Sequence, residues 1–579
     1  MDKKFFIALV LTAFVVVATP MLFPSPEPTT PPAADSTRVT GTAPTNAAPA
    51  SAAQAGGAPS GTGTPTVAEP SAPIAPAVRP ETTVVVTPHA HYAFSNIGAE
   101  PVQAQLPGYR TLPDRADTVQ LVREGQSMLS YAIAVPGDTI ALHDVPFQLE
   151  RGTAADGAPV LTYRGVAEGA QVALTYTFAP DSYLVRVRGT VAGVPQHSFL
   201  LVSLPRSLRS NEADSLDDQG HLAYAFKPTR EGAESIPFRK LEPGDPSRLV
   251  PGPITWTAAK SKYFVVGLLT DSVSGPFSEM HVAAAPRSGK VASQAHGTVV
   301  APIGPNGFSF EMYAGPQEWK RLRALGRDFD TVNPYGGFMQ PLVQPFATIV
   351  MRILLWMKQT TSLNYGWVLV IFGVAIRLMM WPLNQGAMKS SLKMQELQPK
   401  LQEVQKRYKD EPEKQRTEIM RVYKENDASP WSTLSGCLPM LLPMPVLFAL
   451  FFVFQNTIEF RGVPFLWLVD ISLKDPLYVL PLLMGLTTFL VSWIGMRGMP
   501  PNPQAKMMAY VMPAVMTVVL INMPSGLNLY YTVQNLAALP QQWLIARERE
   551  RQAARRNAKA AAAPVRPEEP PARSSRRRA

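Results

Sequence analysis

Apolar positions along this chain fall into three regimes, each with its own period. The first is a single run, Phe5 to Phe23, placed directly behind Met1-Asp-Lys-Lys4. The second is a series of short stretches between about 81 and 316, among them Val172-Ala-Leu-Thr-Tyr-Thr-Phe178 and Tyr183-Leu-Val-Arg-Val-Arg188. Tyr183 to Arg188 alternates with period two, the pattern of a half-buried strand. Gly, Pro, Asp and Asn punctuate these stretches, which predicts an all-β sandwich over 81–330. The third regime is a set of long apolar runs at 363–383, 434–456, 476–494, 507–523 and 525–544. Each approaches the roughly 20 residues that cross a bilayer core. With 1–23, read as an uncleaved anchor because its run is long for a signal sequence, they predict six spans.

Polar segments between these runs complete the outline. Residues 24–80, dominated by Pro, Ala, Thr, Ser and Gly, cannot bury enough surface to fold and are expected to form a disordered linker. The stretch 331–360 is apolar but interrupted by Gly336, Gly337, Pro341 and Pro345, with Arg352 and Lys358 on its polar side. It predicts an amphipathic helix lying in the membrane interface instead of crossing it. Within 384–428, Leu397, Leu401, Val404 and Tyr408 share one helical face, Lys409-Asp-Glu-Pro412 breaks the period, and Ile419, Val422 and Tyr423 begin a second face. An αα-hairpin follows. The whole is a multi-domain membrane protein, with its α-helical transmembrane bundle of 361–546 attached to a β domain and followed by a basic tail, 547–579.

Charge sets the orientation. Ten Lys and Arg lie in 384–428, Arg497 and Lys506 lie between the fourth and fifth spans, and the tail carries 11 basic residues against four Glu. The loop 457–475 on the opposite side has only Arg461 and Lys474. Short basic loops face the cytoplasm, so both termini are expected there and the β domain outside, as in a bacterial periplasm. The tail suits an anionic partner, RNA or acidic lipid headgroups. One cysteine, Cys437, excludes an intrachain disulfide, and all seven histidines precede the bundle, which excludes His-based metal binding or catalysis within it. No phosphate-loop signature implies a nucleotide, and no metal or other cofactor is implied.

Against this background Arg377 stands out, a guanidinium inside an apolar span and roughly 9 Å from its cytoplasmic end at 1.5 Å per residue. A charge at the bilayer centre costs about 2.5–3.5 kcal/mol on insertion scales, and chains that keep one usually face it into a wet, protein-lined cavity. The last span adds Asn528, Tyr530, Tyr531, Thr532, Gln534 and Asn535; Thr487, Thr488 and Ser492 lie in the fourth span and Asn522 in the fifth. A shared hydrated cavity would satisfy these groups. Eighteen of the 23 methionines lie between Met339 and Met523, an adaptable apolar surface beside that cavity. An ion- or solute-coupled transporter would also keep an intramembrane Arg, but repeated halves are missing here. The spans hold no His and no Asp, which excludes the usual intramembrane protease sites.

Three motifs, Gly436-Cys-Leu-Pro-Met-Leu-Leu-Pro-Met-Pro-Val446, Asp475-Pro-Leu-Tyr-Val-Leu-Pro-Leu-Leu-Met-Gly485 and Met523-Pro-Ser-Gly-Leu-Asn-Leu-Tyr-Tyr531, resemble the YidC family of membrane protein insertases. The resemblance covers about 330–547, and an anchor followed by a β domain matches the Gram-negative form. It implies a non-enzymatic insertase and chaperone of the bacterial inner membrane, with a cytoplasm-facing groove holding an arginine where Arg377 stands. It implies that Tyr531 contacts substrate, and that Gly373 replaces a polar residue some relatives carry one turn before the arginine. Nascent membrane proteins, the Sec translocon, the ribosome, targeting factors and membrane lipids are the partners it implies.

Overall fold

A computed structural model describes residues 79–112, 116–272, 274–287, 292–333, 340–409, 411–425, 444–498 and 503–561. The expected anchor at 1–23, nearly all of the linker 24–80, most of the motif 436–446 and the end of the tail lie outside these residues.

The first part of the described chain is β-rich. Strands β1 (Thr82–Val86), β2 (His91–Ser95), β3 (Pro101–Arg110) and β4 (Thr118–Gln120) form one sheet in that order. A second, 14-stranded sheet takes β5 (Ser130–Val135), β6 (Asp138–Ala141), β7 (Gln148–Thr153), β8 (Pro159–Ala167), β9 (Ala170–Phe178), β10 (Leu184–Ala192), β11 (Phe199–Ser203), β12 (Ala223–Pro228), β13 (Glu234–Pro237), β14 (Arg248–Lys260), β15 (Phe264–Thr270), β16 (Phe277–Ala284), β17 (Ala295–Pro302) and β18 (Phe308–Pro316). Its path runs 6-5-11-17-16-14-15-18-10-9-8-7, with β12 and β13 beside β14.

Period two explains the inner face of β9, where Val172, Leu174, Tyr176 and Phe178 are buried and their neighbours are not. Strand β15, in mid-sheet, is covered on both faces and reads as a continuous apolar run. Strands from the two flanks of the sheet meet in the core: the Tyr176 hydroxyl of β9 donates to the Ala99 carbonyl at 2.7 Å and accepts from the Tyr131 hydroxyl of β5 at 3.0 Å. Phe94 of the small sheet packs on Tyr176 and Phe178, so both sheets share one core. At Gly252 in β14 a Cβ would fall 2.1 Å from the Ser278 carbonyl oxygen, so only glycine fits there.

The second part is helical. After α1 (Ser215–Gly220), a short helix between β11 and β12, come α2 (Trp319–Ala324), α3 (Gln340–Thr361), α4 (Tyr365–Arg407), α5 (Pro412–Glu425), α6 (Met444–Asn456), α7 (Val479–Gly495), α8 (Pro503–Leu520) and α9 (Ser525–Ala561). Helix α9 packs on α7 and α4, α7 on α8, and α3 on α6. Among the described residues one helix is long and apolar enough to cross a membrane, over Tyr365–Pro382; Val446–Asn456, Val479–Gly495 and Ala509–Leu520 are shorter apolar helices.

One expectation changes and two gain detail. The interrupted segment 331–360 becomes a continuous 22-residue helix from Gln340, with Pro341 in the first turn, where no backbone N–H is required, and Pro345 accommodated inside. The first arm of the 384–428 hairpin is not a separate helix: α4 runs 43 residues through Pro382 and Pro399 before the chain turns between Arg407 and Pro412. On the two faces that the period picks out, Leu397 and Tyr423 are buried and Leu401, Val404, Tyr408, Ile419 and Val422 partly so. The tail 547–579 begins as helix, because α9 continues to Ala561.

The loop between α6 and α7 joins the two parts. Ile458 belongs to the β-domain core. The Arg461 guanidinium donates from Nε to both carboxylate oxygens of Glu212 at 2.9 Å and from Nη2 to the Asn211 carbonyl at 3.1 Å, and it lies over the Phe264 ring. Burial pushes the Glu212 carboxyl up to about 7, against the pull of Arg461.

Candidate functional site

Arg377 lies in the fourth turn of α4, half-buried against α9. Its Nη2 donates to Gln541 Oε1 of α9 at 2.9 Å, while its Nε is buried and without a hydrogen-bond partner among the described residues. A guanidinium has five N–H donors, so one amide leaves most of its capacity open.

The approach of α4 to α9 is set by Gly373, one turn before Arg377. A Cβ there would meet Val533 Cγ1 at 3.2 Å and Tyr530 Cδ2 at 3.5 Å. The Phe372 and Tyr530 rings pack above it, centroids 5.9 Å apart, and Tyr530 stacks edge-on with Tyr531. Gln534 Nε2 donates to the Tyr530 hydroxyl at 2.7 Å. Tyr530, Gln534 and Gln541 follow i, i+4, i+11, one face of α9 turned toward α4.

The other polar residues of α9 face away from this group. Asn535 Nδ2 reaches Thr488 Oγ1 at 2.7 Å and Thr487 Oγ1 at 3.3 Å on α7. Both threonine hydroxyls donate to the Met484 carbonyl on their own helix. Asn528 is fully buried and donates to the Leu520 carbonyl at 3.1 Å, holding the end of α8 to the start of α9. Asn522 is exposed in the connection between α8 and α9. The structure therefore bonds Arg377 to Gln541 beside Tyr530, which in turn holds Gln534 through its hydroxyl and Tyr531 through its ring; it clusters Asn535 with the two threonines and sets Asn528 and Asn522 apart. Gln541 was missed in the sequence. Its signal was the seven-residue step from Gln534, two turns along one face, beyond an apolar stretch that masks it.

The family comparisons divide the chain as the fold does. A family model described as the YidC periplasmic domain matches residues 82–349, and one described as the 60Kd inner membrane protein matches 356–552. A relative named membrane protein insertase YidC, from Prosthecochloris aestuarii, is 32% identical over 419 residues, covering 68% of this chain and 69% of its own. The chain belongs to the YidC family of membrane protein insertases. A second relative of that name, from Chlorobium phaeovibrioides, is 30% identical and covers 73% of this chain and 74% of its own. A solved structure titled an active YidC insertase aligns over 80% of this chain and 93% of its own at 19% identity, with a TM-score of 0.32, too loose to add to the assignment.

The protein is accordingly a membrane protein insertase. Its β-rich part is the periplasmic domain, its helical part the membrane region, and its substrates are nascent membrane proteins. Insertion moves a polypeptide segment into lipid, and the relatives' names denote that transfer and no bond-making step.

Proposed function

We propose that Arg377 and the face of α9 carrying Tyr530, Tyr531, Gln534 and Gln541 line a hydrated groove through which the insertase passes the polar tail of its substrate. One observation carries this reading: the Arg377 guanidinium is half-buried, bound to a single amide, and has no carboxylate partner among the described residues. A lone buried cation favours an arriving anion. The acidic or polar tail of a nascent chain is attracted to Arg377 and kept solvated, while its apolar segment slides past the Met-rich helices into lipid. Burial of that segment drives the step. Asn535, Thr487 and Thr488 brace α7 against α9 behind the groove, while Asn528 ties the end of α8 to the start of α9.

The topology we infer has six spans, at 1–23, 363–383, 434–456, 476–494, 507–523 and 525–544, with both termini in the cytoplasm. The geometry of α4 supports it. Its first turn packs on the periplasmic-domain side, Tyr365 against Phe460 at 5.0 Å, and its last turn lies roughly 60 Å away at 1.5 Å per residue. The hairpin of α4 and α5 thus projects from the opposite end, with the basic residues. Arg461, one of two cations in the outer loop, is paired with Glu212. In this reading the hairpin captures substrate and meets targeting factors, the basic tail meets the ribosome, and the insertase acts alone or beside the Sec translocon. The transporter reading finds no support in the relatives' names.

Photocrosslinking tests the groove. A photoreactive residue at Gln534 or Tyr531 should form adducts with a stalled nascent chain, and one at exposed Leu482 on α7 should not. Equal adducts at all three positions, or adducts at Leu482 alone, would refute the groove.

A further inference from the structure

The loop between α6 and α7 has two sides. One is bound to the periplasmic domain through Arg461, Glu212 and Ile458. The other presents Trp367 of α4 with Leu466, Trp467, Val469, Leu477 and Tyr478, each between 38% and 68% exposed. These form one patch. The Trp367 and Phe465 rings meet edge-on at 5.4 Å, and Phe465 and Leu468 exchange backbone hydrogen bonds of 2.9 Å. The Trp467 indole Nε1 donates to Asp475 Oδ1 at 3.2 Å, and the Leu477 N–H donates to the same oxygen at 3.0 Å.

The patch is held in place. Leu466 and Tyr478 adopt φ of +54° and +57°, a region that side chains other than glycine rarely enter, and in both cases the side chain ends outside. Asp470 accepts from Gly462 N and Ser472 N, while Ser525 N and Gly526 N of the last helix donate to the Leu473 and Ile471 carbonyls. A loop this firmly tied, with large apolar residues turned outward, has a surface to meet. That surface is continuous with the apolar faces of α4 and α7, whose ends it covers, and exposed Lys474 sits beside it. Trp and Tyr with Lys at the end of apolar helices fit the headgroup boundary of a bilayer.

We propose that residues 464–478 are a lipid wedge: Leu466, Trp467, Leu477 and Tyr478 lie among the headgroups and upper acyl chains of the outer leaflet. There they fix the depth of α4 and α7 and hold the periplasmic domain against the membrane surface. The leaflet follows from the topology proposed above; the depth does not.

Nitroxides at Leu466→Cys and Leu477→Cys, each in full-length Cys437→Ser protein, test it in vesicles of phosphatidylethanolamine and phosphatidylglycerol. Power-saturation spectra with oxygen and a water-soluble nickel chelate should show both labels shielded from nickel and open to oxygen. A Val84→Cys label on the periplasmic domain should show the reverse. Nickel access at Leu466 and Leu477 equal to that at Val84 would overturn the wedge, and would point to a water-facing surface or one reserved for a protein. Labelling Lys474→Cys in cells with a membrane-impermeant maleimide judges the leaflet separately. Reaction from the cytoplasmic side alone would overturn the outer-leaflet placement while the depth reading stands.

Discussion

Glu212 and Arg461, each about 5% exposed, meet where the two parts of the insertase join. Both carboxylate oxygens accept from the guanidinium, which also reaches the Asn211 carbonyl, and removing one partner strands the other in a buried site. Such losses cost roughly 3–5 kcal/mol. Arg461→Ala should therefore lower the thermal midpoint of the reconstituted protein by several degrees, and an Arg461→Met, Glu212→Leu double variant should recover much of it. Glu100 makes a second residue-scale prediction. Burial raises its carboxyl to about 7, opposed by the Ser127 hydroxyl and His143. A raised folded value means the stabilising contribution is complete below the unfolded value near 4.5 and lost as pH climbs through about 7. Amide exchange in β2 and β3 should quicken from pH 5 to 8 beyond its intrinsic rise, and Glu100→Gln should flatten the excess. At this scale Arg377 was legible as a charge in an apolar run. Its partner Gln541 was not, because a sequence shows that an amide in a span needs a hydrogen bond and does not show with what. The same holds for Asn528, which the sequence grouped with Arg377 and which instead holds the Leu520 carbonyl.

Helix ends and membrane borders are different boundaries, which is why the element scale was read only in part. Hydropathy marks where α4 and α9 leave the apolar phase, yet both continue as helix, because intrahelical hydrogen bonds do not depend on what surrounds them. Strands were legible from alternation and β-rich runs. Their order was not: β11 pairs with β17 through Ser203 and Thr298, and no local pattern encodes a partner so distant. Helix α7 shows how a residue just before a helix supplies what its N-cap lacks. Its N-cap, Tyr478, makes no side-chain bond, and fully buried Asp475 accepts instead from Leu477 N and Leu480 N. Asp475→Ala should cost about 1–2 kcal/mol, the usual loss of a cap, seen as a lower unfolding midpoint in detergent. Asp475→Asn should cost less, since one oxygen remains to accept. Equal stability of all three proteins would remove the cap assigned here.

For the whole molecule, the periplasmic domain and the α6–α7 loop form one end, the hairpin and the basic extension of α9 the other. Within that extension Arg549 is structural, donating to the Gly495 carbonyl at the end of α7 at 2.5 Å. Deletion should therefore start after it. Removing 551–579 should leave insertion of Sec-independent substrates nearly intact while weakening ribosome association, and the lost part should be the salt-sensitive part; a binding curve indifferent to salt would contradict the role given to the tail. The central claim is narrower, that a partly unpartnered guanidinium in the membrane attracts the tail of a passing chain. Its most direct measurement is insertion of one substrate, with an acidic or a neutral translocated tail, into vesicles carrying the wild-type, Arg377→Lys or Arg377→Ala insertase. Arg377→Ala should slow the acidic-tailed substrate about tenfold, the equivalent of roughly 1.4 kcal/mol of attraction, with Arg377→Lys close to wild type and the neutral tail little affected. Equal rates for the acidic tail with wild type and Arg377→Ala would contradict the account.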